Sequence, residues 1–226
     1  MTQFPFSIVG FDLDGTLVDS NRDLAPAINH ALSKAGRDVV PDEQVRHLIG
    51  GGALRMLERA VEQSGVPASD TELHAMHDDL MDHYEAHIAD NTVPYDGCLA
   101  ALDQLAEHGC KLAVVTNKVE RNAIKLLDAL GMSDRFTCIL GGDTLGPGRA
   151  KPAPDMIQAA IRQCGGSGRF AMVGDSSFDT RAARAAAVPV VAVSFGYNDI
   201  PVPELDCDVM IDHFDELVPA LARLRA

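Results

Sequence analysis

Phe6-Ser7-Ile8-Val9-Gly10-Phe11-Asp12-Leu13-Asp14-Gly15-Thr16 is the stretch on which the reading of this chain turns. Its first half is a short apolar run rich in Ile, Val and Phe, the composition of a strand buried on both faces. Its second half sets Asp12 and Asp14 at the carboxyl end of that strand. Ends of parallel strands are where doubly wound proteins bind ligands. Two carboxylates two residues apart on extended backbone point to the same side. Held close, they do not both ionise freely without a cation. The pattern points to a nucleophile, an acid/base and a metal site. The competing reading takes Asp14-Gly15 as turn chemistry that merely closes a strand.

Downstream of this stretch, Asn21 to Ala35 reads as a helix that stops at Gly36. Residues 43 to 90 carry helical spacing, as in Leu48, Leu54, Leu57 and Val61, then Leu73, Met76, Leu80 and Tyr84. Gly50-Gly51-Gly52 and Gly65-Val66-Pro67 interrupt it. No strand pattern occurs between Asn21 and Asp90. Past Val93-Pro94-Tyr95-Asp96-Gly97, strands and helices alternate. Strands are expected at 111–115, 136–140, 170–173 and 190–195, with a sixth, short one at 209–211. Helices are expected at 99–108, 120–130, 154–164, 179–187 and 215–224. Repeated strand–helix units imply an α/β fold, a doubly wound parallel sheet with helices on both faces. Residues 1–18 and 91–226 are expected to form that core, and 19–90 an inserted all-helical cap.

Other strand ends repeat the chemistry of the first. Val114-Val115 leads into Thr116-Asn117, a hydroxyl and an amide. Val173-Gly174 leads into Asp175-Ser176, with Asp179 four residues beyond Asp175. Lys151-Pro152 stands just before a helix start. Together these supply what a phosphoryl group needs: donors, a fixed positive charge and carboxylates for Mg²⁺. Taken singly, Thr-Asn is ordinary turn chemistry and Lys-Pro an ordinary solvated loop.

Composition narrows the function classes. The chain has 226 residues, 46% hydrophobic and 23% charged, which suits a globular protein of one or two domains. Asp plus Glu number 33 against 19 Lys plus Arg, a net charge of −14 that argues against nucleic-acid partners. No run reaches the ~18 apolar residues of a membrane span. Met1 to Ser7 lack the basic and apolar regions of a signal peptide. Five scattered cysteines, without a CxxC pair, suit buried thiols in a reducing compartment, so a cytoplasmic location is expected.

The motifs Asp12-x-Asp14-Gly15-Thr16, Thr116-Asn117, Lys151 and Gly174-Asp175-Ser176-x-x-Asp179 resemble those of the haloacid dehalogenase-like superfamily of phosphohydrolases. The resemblance spans essentially the whole chain. It is closest to bacterial phosphoglycolate phosphatases, at Phe11 to Ser20, Val115 to Lys118, Gly141-Gly142-Asp143, Lys151-Pro152-x-Pro154 and Phe195-Gly196-Tyr197-Asn198. It implies a Rossmann-like sheet with core strands in the order 3-2-1-4-5 and a possible sixth beyond the fifth. Strands ending in Asp12, Thr116 and Asp175 are then neighbours at the topological switch point. The edge strand ending in Gly141-Gly142-Asp143 carries no catalytic role. The resemblance further implies Asp12 as nucleophile and Asp14 as acid/base. It implies Mg²⁺ held by Asp12, the backbone carbonyl of Asp14, and Asp175. Thr116, Asn117 and Lys151 are expected on the phosphoryl oxygens, with Asp179 orienting Lys151 or a metal-bound water. The implied substrate is a small phosphorylated metabolite, first of all 2-phosphoglycolate, and the chain is expected as a monomer or homodimer.

The alternatives are a related phosphatase or phosphomutase acting on another small phosphorylated metabolite or on pyrophosphate. Dehalogenases and phosphonatases of the superfamily are expected to lack an acid/base where Asp14 stands. A complete set of expected catalytic residues argues against a non-enzymatic phosphate-binding regulator. In the cap, the Gly50-Gly51-Gly52 loop before a helix start is a candidate for a second substrate anion, with Gly51 and Arg55, or Arg46, assisting. It lacks P-loop spacing. His74, His77, His83 and His87 lie among acidic residues, and His83 and His87 share a helix face. With no HExxH pattern, a solvated helix face is the expected reading rather than a metal site.

Overall fold

The computed structural model describes residues 4–224. The chain opens with β1 (Ile8–Phe11) and β2 (Val18–Asp19), then four helices: α1 (Asn21–Lys34), α2 (Asp42–Val45), α3 (Ala53–Ser64) and α4 (Asp70–Ala86). It continues through β3 (Val93–Pro94), α5 (Cys98–Glu107), β4 (Lys111–Val115), α6 (Glu120–Ala129) and β5 (Cys138–Leu140). The remainder is α7 (Asp155–Gln163), β6 (Phe170–Gly174), α8 (Ser177–Ala185), β7 (Val190–Val193), β8 (Val209–Ile211) and α9 (Leu217–Arg223).

Six strands form one sheet in the order β5-β4-β1-β6-β7-β8, all pairings parallel. Counted over the core strands alone, that is the expected 3-2-1-4-5 with a sixth beyond the fifth. β1 is central, with Ile8 opposite Lys111 on one side and Phe170 on the other. Its residues alternate between two apolar clusters. Val9 and Phe11 face one with Leu112, Val114, Ala171 and Val173, while Ile8 faces the other with Ala113, Val115, Phe170 and Met172. This two-sided burial makes the strands read as unbroken apolar runs. Helices α5, α6 and α9 contribute to the first cluster, α7 and α8 to the second.

The insert between β1 and β4 is helical, but less continuous than its spacing predicts. α2 has only 4 residues. Gly50, Gly51 and Gly52 then take φ of 113°, 79° and 94°, a left-handed stretch that stops any helix. α3 ends at Gly65 (φ 68°), and α4 starts from Ser69, whose hydroxyl accepts from Glu72 N at 3.2 Å. Leu24, Leu57 and Leu80 from these helices join the first cluster, so insert and sheet share one core.

A ribbon that the sequence did not announce ties the insert's two ends together. Val18 pairs with Pro94 and Asp19 with Val93, antiparallel. Beside it Asp23, buried in α1, accepts from Asn91 N and Nδ2 and from Thr92 N and Oγ1, at 2.6–3.0 Å. Among the described residues no helix is long and apolar enough to cross a membrane.

Candidate active site

β1 delivers Asp12 to the sheet's carboxyl edge, and Asp12 N donates to Val173 O at 2.9 Å, which fixes it beside β6. The backbone does not stay extended to Asp14, as the sequence reading expects. Thr16 N and Leu17 N both donate to Leu13 O, a tight turn straight after the strand. Asp12 and Asp14 nevertheless line one cleft. Gly15 makes the turn possible: its φ is +84°, and a Cβ there would lie 2.4 Å from Asp175 Oδ2.

Asp175 follows β6. Thr16 Oγ1 donates to its Oδ1 at 3.0 Å and Tyr197 N to its Oδ2 at 2.7 Å. Asn198 Nδ2 donates to its carbonyl at 2.8 Å. A Cβ on Gly196 would lie 2.3 Å from Asp175 Cβ. The Phe195–Asn198 stretch, noted in the sequence only as a resemblance, is thus the clamp that places Asp175.

Lys151 reaches in from the loop before α7, its side chain 1% exposed. Its Nζ lies 2.9 Å from Asp12 Oδ1 and 2.6 Å from Asp179 Oδ1. The other Asp179 oxygen accepts from Ser176 N at 3.0 Å and Ser176 Oγ at 2.5 Å, a capping box that starts α8. Asp179 therefore holds Lys151 in place. Burial alone would lower the proton affinity of Lys151, but Asp12 and Asp179 outweigh it and keep it charged. Burial pushes Asp12 up to about 6, opposed by Lys151. Burial, with the charges of Asp12 and Asp179, pushes Asp175 up to about 8.

Those shifts describe an excess of negative charge. Asp12, Asp175 and Asp179 bring carboxylate oxygens within 4.8 Å of one another. One ammonium, Lys151, pairs with two of these three carboxylates, Asp12 and Asp179. A hard divalent cation fits this all-oxygen set, and Mg²⁺ suits it. Among the described residues no other group of His, Cys, Asp or Glu converges in this way. His83 instead lies between His30 and His87, its ring tilted to both, with centroids 4.6 and 4.8 Å apart.

Thr116 and Asn117 follow β4 and line the same cleft. Thr116 is buried, and its Oγ1 accepts from Lys118 N at 3.2 Å. Asn117 Nδ2 donates to Lys151 O at 2.9 Å, bracing the loop that carries the lysine. Gly141 and Gly142 let the end of β5 press on that segment: a Cβ on Gly141 would lie 2.2 Å from Glu120 N. Asp143 accepts from Glu120 N at 2.8 Å, a structural contact.

From the insert, Gly50, Gly51 and Gly52 line the cleft, but Arg55 does not. Arg55 points outward, 44% exposed, paired with Glu58 at 2.9 Å and Glu62 at 3.3 Å. The structure therefore does not bring Arg55 together with the other expected substrate contacts. The spacing 55, 58, 62 already places all three on one helical face. Arg46 donates to Gly196 O at 3.1 Å and so ties insert to core. The sequence reading missed Lys118 and Tyr84. Lys118 Nζ lies 2.9 and 3.1 Å from the two oxygens of Asp14, which also accepts from Ser20 Oγ at 2.6 Å. Tyr84, from α4, covers Lys118, whose Nζ lies 4.4 Å from the ring centroid.

Known proteins share this architecture. The family described as haloacid dehalogenase-like hydrolase matches residues 9–193. A phosphoglycolate phosphatase of Agrobacterium fabrum is 41% identical over 223 residues, covering 98% of this chain and 95% of that protein. One of Caulobacter vibrioides is 39% identical over 217 residues, covering 96% and 91%. A crystal structure described as a predicted phosphoglycolate phosphatase from Haemophilus somnus superimposes with a TM-score of 0.84 at 31% identity, covering 97% of this chain and 99% of that one. The match over most of the chain, on a sheet whose neighbouring strand ends carry Asp12, Thr116 and Asp175, makes this chain a member of the haloacid dehalogenase-like hydrolase family.

Proposed function

We propose that the chain is a Mg²⁺-dependent phosphomonoester hydrolase that works through an aspartyl-phosphate and converts 2-phosphoglycolate to glycolate and phosphate. The observation that carries this is the pairing of Lys151 with Asp12 at 2.9 Å, in a cleft that also holds Asp14. The ammonium favours the ionised, nucleophilic form of a buried carboxylate. An Asp12 oxygen attacks phosphorus, and the bond to the ester oxygen breaks. Asp14 gives its proton to the departing alkoxide, then takes one from the water that hydrolyses the acyl phosphate. Thr116 and Lys151 hold the phosphoryl oxygens, Asn117 braces Lys151 through its carbonyl, and Asp179 holds its ammonium.

Asp12, Asp175 and the backbone carbonyl of Asp14 are the groups that would hold Mg²⁺. When bound, it offsets repulsion between these carboxylates and the phosphoryl group. The cap, taken as residues 19–90, closes the cleft over a small leaving group and excludes large ones. The substrate is supported by the phosphoglycolate phosphatases above, similar over nearly the full chain. Free cysteines, four of the five buried, support a cytoplasmic location.

The test is phosphate release across about twenty phosphomonoesters with Mg²⁺, sugar phosphates, nucleotides and pyrophosphate included. The expected result is the highest kcat/KM for 2-phosphoglycolate. Preference for another class overturns the substrate while leaving the hydrolase reading standing. Exhaustive chelation is expected to stop turnover and added Mg²⁺ to restore it. Full activity after chelation contradicts the metal assignment.

A further inference from the structure

Apart from Lys151, which is 1% exposed against Asp12, Lys118 is the one cation among the described residues that line the cleft. Its side chain is 7% exposed, and its ammonium is paired with Asp14. Asp14 is the carboxyl group that must turn to the leaving oxygen, and in this pair both its oxygens are occupied. Next to Lys118 stands a second anomaly. Tyr84 is 2% exposed and lines the cleft, yet its O–H donates to no acceptor, since the polar group beside it is the Lys118 ammonium, itself a donor. Burial pushes that hydroxyl up to about 12, so it stays a neutral O–H donor. A buried donor without an acceptor is rare in folded proteins. Here it sits beside an ammonium that has three N–H groups to give.

These two donors come from different parts of the fold, Lys118 from the end of β4 and Tyr84 from α4 of the insert. Both are satisfied at once by a small anion lodged against them, at the cap side of the phosphoryl site. We propose that Lys118 and Tyr84 together receive the carboxylate of the substrate, and that this carboxylate displaces Asp14 from Lys118. This rests on the phosphoglycolate reading above and assigns the site's specificity to two residues. A charge-assisted contact to the carboxylate replaces the one that Asp14 gives up. Asp14 keeps its contact with Ser20 and is free to face the leaving oxygen. An uncharged ester brings no replacement anion, so Lys118 stays on Asp14 and the acid/base is held away from its task. Discrimination then shows in kcat as well as in KM, because the anion both binds and releases a catalytic group.

The test compares kcat and KM for 2-phosphoglycolate and ethyl phosphate in the wild type, Lys118→Met and Tyr84→Phe. Methionine removes the charge and keeps the length; phenylalanine removes only the hydroxyl. The readout is the ratio of the two kcat/KM values. Lys118→Met is expected to lower that ratio by at least about tenfold, and Tyr84→Phe by about threefold. If Lys118→Met does not fold, Tyr84→Phe decides alone. A wild-type preference for phosphoglycolate that survives unchanged in the folded variants overturns this inference and leaves the proposed function standing. A wild type with no preference for the carboxylate ester contradicts the substrate reading first, and this inference with it.

Discussion

Arg55 and Lys118 carry the same charge and end in opposite surroundings. Arg55 is solvated and spends its guanidinium on Glu58 and Glu62. Such exposed pairs contribute about 0–1 kcal/mol. Arg55→Ala is therefore expected to change kcat/KM for phosphoglycolate by less than about twofold, measured by steady-state kinetics. A tenfold loss would return Arg55 to the cleft. Lys118 is buried against Asp14 and Tyr84, and its charge is held there by Asp14 against the cost of burial. In sequence it closes the Val115–Lys118 stretch noted for its resemblance, with no role attached to it. Its partner Tyr84 lies on another element, and no local pattern connects the two. Asp12, Asp14, Asp175 and Asp179 were legible because each sits at a fixed step from an apolar strand end. Lys151 was legible only as part of that ordered set.

At the scale of elements, one side chain in α1 ties the two ends of the insert together. Asp23 accepts four donors from Asn91 and Thr92, joining the start of the insert to its exit beside the β2–β3 ribbon. Burial alone would raise its pKa, but the hydrogen bonds from Thr92 and Asn91 win and hold it below the ordinary carboxylate range. Asp23→Ala removes the acceptor and strands buried donors, with an expected cost of about 2–4 kcal/mol by urea unfolding at neutral pH. A depressed folded-state pKa stabilises above the unfolded value near ~3.9 and ceases to do so as pH falls through the folded value. The gap between wild type and variant is therefore expected to narrow in that acid range. A cost under about 0.5 kcal/mol would show that the ribbon holds without Asp23. Neither ribbon nor staple was readable in advance. Two-residue strands have no periodicity, and Asp23 meets its partners 68 and 69 residues away. The inner strands β1, β6 and β7 were readable because burial on both faces leaves unbroken apolar runs. Their order came from resemblance, since strand composition carries no pairing information.

For the whole molecule, a net charge of −14 is the background against which an anionic substrate must be held. The fold answers with two buried ammonium groups. Lys151 stands at Asp12, and Lys118 beside Asp14 under the Tyr84 ring. The sheet order makes this possible by setting β1, β4 and β6 side by side, so that Asp12, Thr116 and Asp175 meet at one edge. At that edge the carboxylate of Asp12 is the group proposed to take the phosphoryl group. The direct measurement is to mix Asp14→Asn with 2-phosphoglycolate and Mg²⁺, quench in acid, and locate the phosphoryl group by peptide mass spectrometry. Asp14→Asn slows hydrolysis of the intermediate, and Asp12→Asn is the unlabelled control. The expected result is an acid-stable, hydroxylamine-labile phosphoryl group on Asp12 and no turnover by Asp12→Asn. A phosphoryl group on Ser20, Thr116 or Ser176, or sustained turnover by Asp12→Asn, would contradict it.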